Sequence, residues 1–378
     1  MKNVNAKIFW SSIFLGIILR FILMRLGHNF DFDSYCIVGK LASQGENIYA
    51  NTSRYNYGPV WFTLLGMFWN FSLYFAHNIV AFRACIVVTL TLSDFLIARI
   101  ISRKAGTFWG VIFFLNPISL IITGYHNQFD NIAVLLGAYA VLCIEDSCSE
   151  HRIKADDIYG IIFLSLSLIT KHILWAFPLW ILFSRNIETR KKFLYAFIPP
   201  LILLLSFGPY WSIGANGIIQ NVFLYKSFNN FPLLALRVIN RLGIYLPFQD
   251  KICLPLFGLL MAASAYIFRR EKIYDSFLLY IIALVCFSSA IANQYIAIPC
   301  MAVVIMFREK SALYFLPGLL FLSCHGDGLH IPLYFQKHYG IEPNLFARLL
   351  ASGAMYSLFA WCLFGYLVYY YFRLREKN

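Results

Sequence analysis

Residues 78–101 read NIVAFRACIVVTLTLSDFLIARII and are followed directly by Ser102-Arg103-Lys104. The run holds no proline or glycine, so nothing in it breaks a helix. A helix of that length spans the ~30 Å hydrocarbon core of a bilayer, and the cations after it mark a cytoplasmic end. Residues 8–25 and 345–372 are runs of the same kind. The whole chain agrees: 60% of its 378 residues are hydrophobic and only 13% are charged. One or two water-soluble cores cannot bury that much apolar surface, whereas lipid can. The expected fold is therefore all-α, a polytopic bundle of membrane-crossing helices forming a single domain over residues 1–378.

The net charge of +13 would suit a nucleic-acid partner. Its distribution instead follows the positive-inside rule, so no nucleic acid is expected. Threading the chain on that rule places 1–7 inside and residues 8–26 as the first span. A first outer loop follows over 27–77. Within it, residues 58–75, broken by Pro59, Gly66 and Asn70, read as a re-entrant or interfacial helix. Spans then follow over 78–101, 107–123 and 131–144. Residues 158–184 have basic loops on both sides and must cross an even number of times. They read as two short helices with Thr170-Lys171-His172 at the tip. After the span 193–210 comes a long outer loop, 211–250. Spans 252–268, 276–292, 294–307, 312–323 and 345–372 bring the total to about twelve. Most Lys and Arg then fall inside, in the clusters at 103–104, 152–154, 185–192, 269–272, 308–310 and 373–377. The first span reads as retained, because no small-residue cleavage site follows it.

Nine cysteines lie mostly inside apolar runs and form no C-x-x-C pair, so they read as small packing residues. His325, Asp327 and His330 match no strong ligand spacing, and no metal or cofactor is expected. The chain has no P-loop, G-x-G-x-x-G, H-E-x-x-H or G-x-S-x-G element, which removes support for ATP- or NAD-driven chemistry.

The chemistry is sought among the few outer carboxylates, which are costly near a membrane unless used or paired. Asp31-Phe32-Asp33-Ser34-Tyr35 follows the first span. Carboxylates at i and i+2 do not share a helix face, and they suggest an extended segment or a turn. One would serve as a general base; the plain structural alternative is a pair of solvated capping residues. Gly124-Tyr125-His126-Asn127-Gln128-Phe129-Asp130-Asn131 joins an outward helix to an inward one. It reads either as a substrate-binding lip or as a polar turn with Asp130 or Asn131 as N-cap. Lys171 and His172 either hold a phosphate or snorkel to the interface. Asp94 and Arg99 share one helix and read as satisfying internal partners.

Three further elements complete a pattern: Gly45-Glu-Asn-Ile48-Tyr49, Arg54-Tyr55-Asn56-Tyr57-Gly58-Pro59, and Asn116-Pro117 ahead of the lip. With the acidic pair, they resemble the GT-C superfamily of membrane glycosyltransferases. The nearest likeness is to bacterial polyprenyl-phosphate-sugar-dependent mannosyltransferases and to the GPI mannosyltransferase family. Ile48 stands where that pattern usually has proline. Lys171 with Pro178, and Gln294-Tyr295 with Pro299, resemble weaker elements of the same families.

The resemblance implies an inverting glycosyltransferase of GT-C-like fold in a bacterial inner membrane, with its active site on the extracytoplasmic face. It would move a sugar, a mannose-like hexose, from a polyprenyl-phosphate donor to a lipid-linked or surface-glycan acceptor. Asp31 or Asp33 would be the base. Asp31 is preferred, because in the resembling bacterial enzymes the acid stands four residues before an aromatic, as Asp31 stands before Tyr35. Tyr35, Arg54, Tyr57, His126, Gln128, Asp130, Lys171, His172, Gln294 and Tyr295 would bind substrate. Lys171, His172, Arg54, Arg237 and Arg241 would be candidates to stabilise the leaving phosphate. The alternatives are a lipid-linked oligosaccharide flippase or transporter, and an O-antigen ligase or polymerase using the loop 211–250.

Overall fold

A computed structural model describes residues 2–225, 249–288, 291–325, 328–350, 352 and 354–376. Arg237, Arg241 and Asp327, and most of the expected loop 211–250, lie outside them. The described part of that loop is helical, not open loop: it includes a helix over Trp211–Gly217 and a π-turn over Ile218–Phe223.

Every regular element among the described residues is helical. The first are α1 (Lys2–Leu26), α2 (Phe30–Ser43), α3 (Ile48–Asn51), α4 (Pro59–Ser72) and α5 (Asn78–Lys104). Then come α6 (Thr107–Leu115), α7 (Pro117–Ile121), α8 (Asp130–Glu145), α9 (Ala155–Thr170), α10 (Phe177–Phe183) and α11 (Thr189–Ser206). Among the described residues, four helical stretches are long and apolar enough to cross a membrane: Lys7–Leu26, Asn78–Lys104, Thr189–Phe223 and Met355–Arg375. A fifth arises if Thr107–Leu115 and Pro117–His126, bent by 45° at Asn116, form one span. Other apolar runs fold as shorter pieces because proline and asparagine interrupt them. Helix α10 begins at Phe177-Pro178 and has only 7 residues, and Cys300–Phe307 follows Pro299 with 8.

The segment 158–184 contains two helices, α9 and α10, separated by Lys171 and a 3-10 turn over His172–Leu174. The segment expected as the first outer loop, 27–77, is largely helical: α2, α3 and α4 fill it. Helix α2 corrects the expectation of an extended or turn conformation at Asp31 and Asp33. Asn29 caps it, its Oδ1 accepting from the Asp31 amide at 3.2 Å. Both carboxylates fall in the first turn, where the positive end of the helix dipole favours them. Neither acid caps a helix.

The bundle has two chemically distinct ends. At one, Lys104 pairs with Glu145 at 3.0 Å and buried Lys191 pairs with buried Asp157 at 2.8 Å. The Glu188 amide reaches the Cys148 carbonyl at 2.8 Å, and the Arg185 amide reaches the Arg269 carbonyl at 2.7 Å. The basic clusters meet here. At the other end, α2 and α4 pack on α5 around buried Phe32, Tyr35, Trp61, Leu65, Phe82 and Phe129. That aromatic shelf supports the lip residues 124–131.

The separation of the ends makes a topology test direct. Cysteine labelling of intact cells should reach Asn51→Cys, in the first loop, but not Ser149→Cys, at the cation-rich end. The reverse pattern would overturn the orientation.

Candidate functional site

The lip forms because α6 stops at Asn116-Pro117. Asn116 caps α7 by accepting from the Ser119 amide at 2.9 Å. The chain then widens into a π-turn, Ile122–His126, and leaves it through Asn127 in the left-handed region at φ 61°. Asparagine tolerates that conformation better than most residues. The expected capping role of Asp130 or Asn131 is not found. Helix α8 has no side-chain cap, and Asn131 Nδ2 instead donates to Leu90 O and Asp94 Oδ1, each at 2.9 Å.

Asp31 and the lip touch. Gln128 Nε2 donates to Asp31 Oδ2 at 2.5 Å, and Asn29 Nδ2 donates to the same oxygen at 3.1 Å. Tyr35 Oη donates to Gln128 Oε1 at 3.4 Å, and Asn29 Nδ2 lies 3.1 Å from His126 Nδ1. The directions of these bonds are determined. Asn29 Oδ1 faces the Asp31 amide, so its NH₂ faces the histidine. His126 Nδ1 is therefore an acceptor, and the ring proton sits on Nε2. That Nε2–H is a buried donor without a partner among the described residues. The pair thus offers one carboxylate acceptor and one N–H donor. Asp33 points elsewhere: it is exposed and lies 3.0 Å from His28 Nε2. The two acids indeed occupy different faces of α2.

A second cluster lies beside the first. Lys171 and Asp130 form a buried ion pair at 2.6 Å, with side chains 5% and 1% exposed. Lys171 Nζ is 5.0 Å from the Tyr57 ring centroid and 4.7 Å from that of Phe129. Phe129 stacks on Trp61 at 4.4 Å, and Tyr57 lies 6.1 Å from His172. Burial, then the charges of Tyr35, Asp31, Tyr295 and Asp130, push the Tyr57 phenol well above its ordinary range. It stays a neutral hydroxyl. Gly58 lets this segment approach α9, since a Cβ there would fall 2.0 Å from the Ile169 carbonyl oxygen. Beneath the lip, Asp94, Thr123, Gln128, Asp130 and Asn131 line a cavity of about 20 Å³, enough for one water.

Arg54 is exposed, its guanidinium 4.1 Å from the Phe30 ring centroid, next to Asp31 in sequence. Gln294 and Tyr295 lie in a 3-10 turn, Asn293–Ala297, packed against the Ile122–His126 turn. Asn293 is tied to His325 at 3.2 Å and to Tyr356 Oη at 2.5 Å. His325 is thus engaged in a polar contact, and no group of three metal-ligating side chains occurs among the described residues.

Three participants escaped the sequence reading. Asn29 could have been noticed as a helix cap one turn before an apolar run. Arg20 of α1 is the internal partner expected for Asp94, at 2.8 Å, whereas Arg99 is exposed. Ser119 and Thr123 also donate to Asp94, both at 2.7 Å. Arg83, a cation inside an apolar helix, was a legible signal. Its guanidinium donates to Asn127 Oδ1 at 2.8 Å, Met24 O at 2.6 Å and Tyr125 O at 3.0 Å. It also donates to Gly27 O. It therefore straps the end of α1 to the lip.

Arg83→Lys should keep the charge but lose this fork, because an ammonium cannot reach several carbonyls in fixed directions. Hydrogen exchange across residues 124–128 should accelerate by about tenfold or more, since bonds to charged donors contribute ~1.5–3 kcal/mol each. Unchanged exchange would show that Arg83 does not hold the lip.

No protein-family profile, curated protein or solved structure matches this chain in comparisons of all three kinds.

Proposed function

We propose that the chain is an inverting glycosyltransferase that transfers a mannose-like hexose from a polyprenyl-phosphate donor to a lipid-linked or surface-glycan acceptor. The observation that carries this reading is the joined cluster of Asp31, Gln128 and His126 beside the buried Lys171–Asp130 pair. Asp31 is the base. It takes the proton of the acceptor hydroxyl as that oxygen attacks the anomeric carbon, the anomeric C–O bond breaks, and lipid phosphate leaves with the electron pair. The His126 Nε2–H and the neutral Tyr57 hydroxyl are donors for substrate oxygens. Lys171, released in part from Asp130, supplies positive charge to the leaving phosphate. In this reading the protein lies in a bacterial inner membrane, and the shorter apolar helices bring its crossings to about twelve. The Asp31 end faces outward, and the reaction uses no nucleotide, metal or cofactor.

The test is a reconstituted assay. Purified protein in liposomes, given a polyprenyl-phosphate hexose and a glycolipid acceptor, should form product and release polyprenyl phosphate. Absence of transfer across a panel of donors and acceptors would remove the proposal.

A second reading, transport of a lipid-linked oligosaccharide, draws on two observations. Arg20 and Asp94 are charged and buried within the bundle, and the Thr107–Leu115 and Pro117–His126 pair is discontinuous. Movement of a labelled lipid-linked oligosaccharide between leaflets without any new glycosidic bond would favour it.

A further inference from the structure

A second cavity lies at the cation-rich end. It measures about 580 Å³ and lies between the end of the helix Cys300–Phe307, the turn Arg308–Ser311, the start of the helix Ile273–Phe287 and the end of the helix Ala354–Arg375. Its composition is divided. Arg308, Lys310 and Arg373 stand on its rim, while Ile305, Met306 and Leu374 make an apolar wall.

None of the three cations forms an ion pair with a carboxylate among the described residues. Two acids also line the cavity, exposed Glu309 and half-buried Asp275. Burial, then Glu271 and Glu145, push the Asp275 carboxyl up. The balance is positive.

The rim is built before any ligand arrives. Tyr366 Oη donates to the Lys310 carbonyl at 2.6 Å, and Phe307 stacks on Tyr366 at 4.4 Å. Lys310 Nζ lies 3.3 Å from the Tyr369 ring centroid. Arg308 sits at φ 42° and ψ −110°, a positive-φ backbone that disfavours any residue but glycine. Glycine would relieve the strain, yet the position holds an arginine whose side chain lines the cavity. Cations around a concavity next to an apolar wall match an anionic amphiphile, with its phosphate on the rim and its chains along the wall. A free phosphate would use the rim and leave the wall unused.

We propose that this groove binds the phosphate of an anionic phospholipid headgroup. The claim is independent of the reaction at Asp31. The test is native mass spectrometry of the full protein in detergent, titrated with dioleoyl-phosphatidylglycerol, dioleoyl-phosphatidylcholine, and inorganic phosphate as competitor. The wild type should retain the anionic lipid over the zwitterionic one. Arg308→Gln with Arg373→Gln should weaken the anionic lipid by about thirtyfold and leave the zwitterionic lipid unchanged. Arg308→Gly separates binding from structure: it should raise the unfolding temperature while lowering retention of the anionic lipid. Equal retention of the two lipids by the wild type, or an undiminished preference in the double variant, would overturn the proposal. So would a gain in stability by Arg308→Gly with no loss of lipid. Displacement of the lipid by millimolar inorganic phosphate would reject the headgroup as the source and assign the same rim to free phosphate.

Discussion

Asp31→Asn is expected to abolish glycosyl transfer, lowering the rate by ~10²–10⁴ while expression and donor binding stay near wild type. The substitution keeps the shape and can still accept the 2.5 Å contact from Gln128 Nε2 through its amide oxygen. It removes only the ability to take a proton. Asp33→Asn should do far less, because Asp33 is exposed and engages only His28 among the contacts described. The measurement is initial rate with purified protein and a polyprenyl-phosphate sugar. Near-normal transfer by Asp31→Asn would refute the assignment of the base, and a dead Asp33→Asn would exchange the two roles.

The second large effect is on stability. Lys171→Met should destabilise the fold by ~3–5 kcal/mol, because it strands the Asp130 carboxylate, 1% exposed, without its 2.6 Å partner. The energy of the pair itself is modest, since desolvation offsets most of the attraction; the loss comes from the unpaired charge. Lys171→Met combined with Asp130→Leu should therefore recover much of the stability lost by the single change. Activity should not return, since both groups border the Asp31 cluster. Unfolding equilibria in mixed micelles would measure the first effect and the transfer assay the second. A double variant no more stable than Lys171→Met would show that the pair is not the source of the loss.

Asp31, Gln128, His126, Asp130 and Lys171 were all legible in the chain because each stands out chemically. A polar side chain beside an apolar span is costly, so its presence asks for a reason. Their grouping was less legible. Asp31 and Gln128 are 97 positions apart, as are Asn29 and His126. Spacing within a segment says nothing about contacts of that range. The local conformation at Asp31 was missed for a smaller reason: the acidic spacing drew notice before Asn29, whose cap starts the helix.

Apolar content and the clustering of Lys and Arg were enough, by themselves, to determine, over the described residues, an all-helical fold with membrane-compatible spans and two unlike ends. Both properties sum over many residues, so no single contact can reverse them. Which helices run long enough, which carboxylate faces the lip, and which cation answers Asp94 were decided only by tertiary structure. Each of those depends on one side chain meeting another across the bundle. Arg20 answers Asp94 because α1 lies beside α5 at that depth, and Arg99 does not because it faces outward. The distinction is physical: transfer from water to lipid is additive along a chain, whereas the pairing of a buried charge is set by geometry.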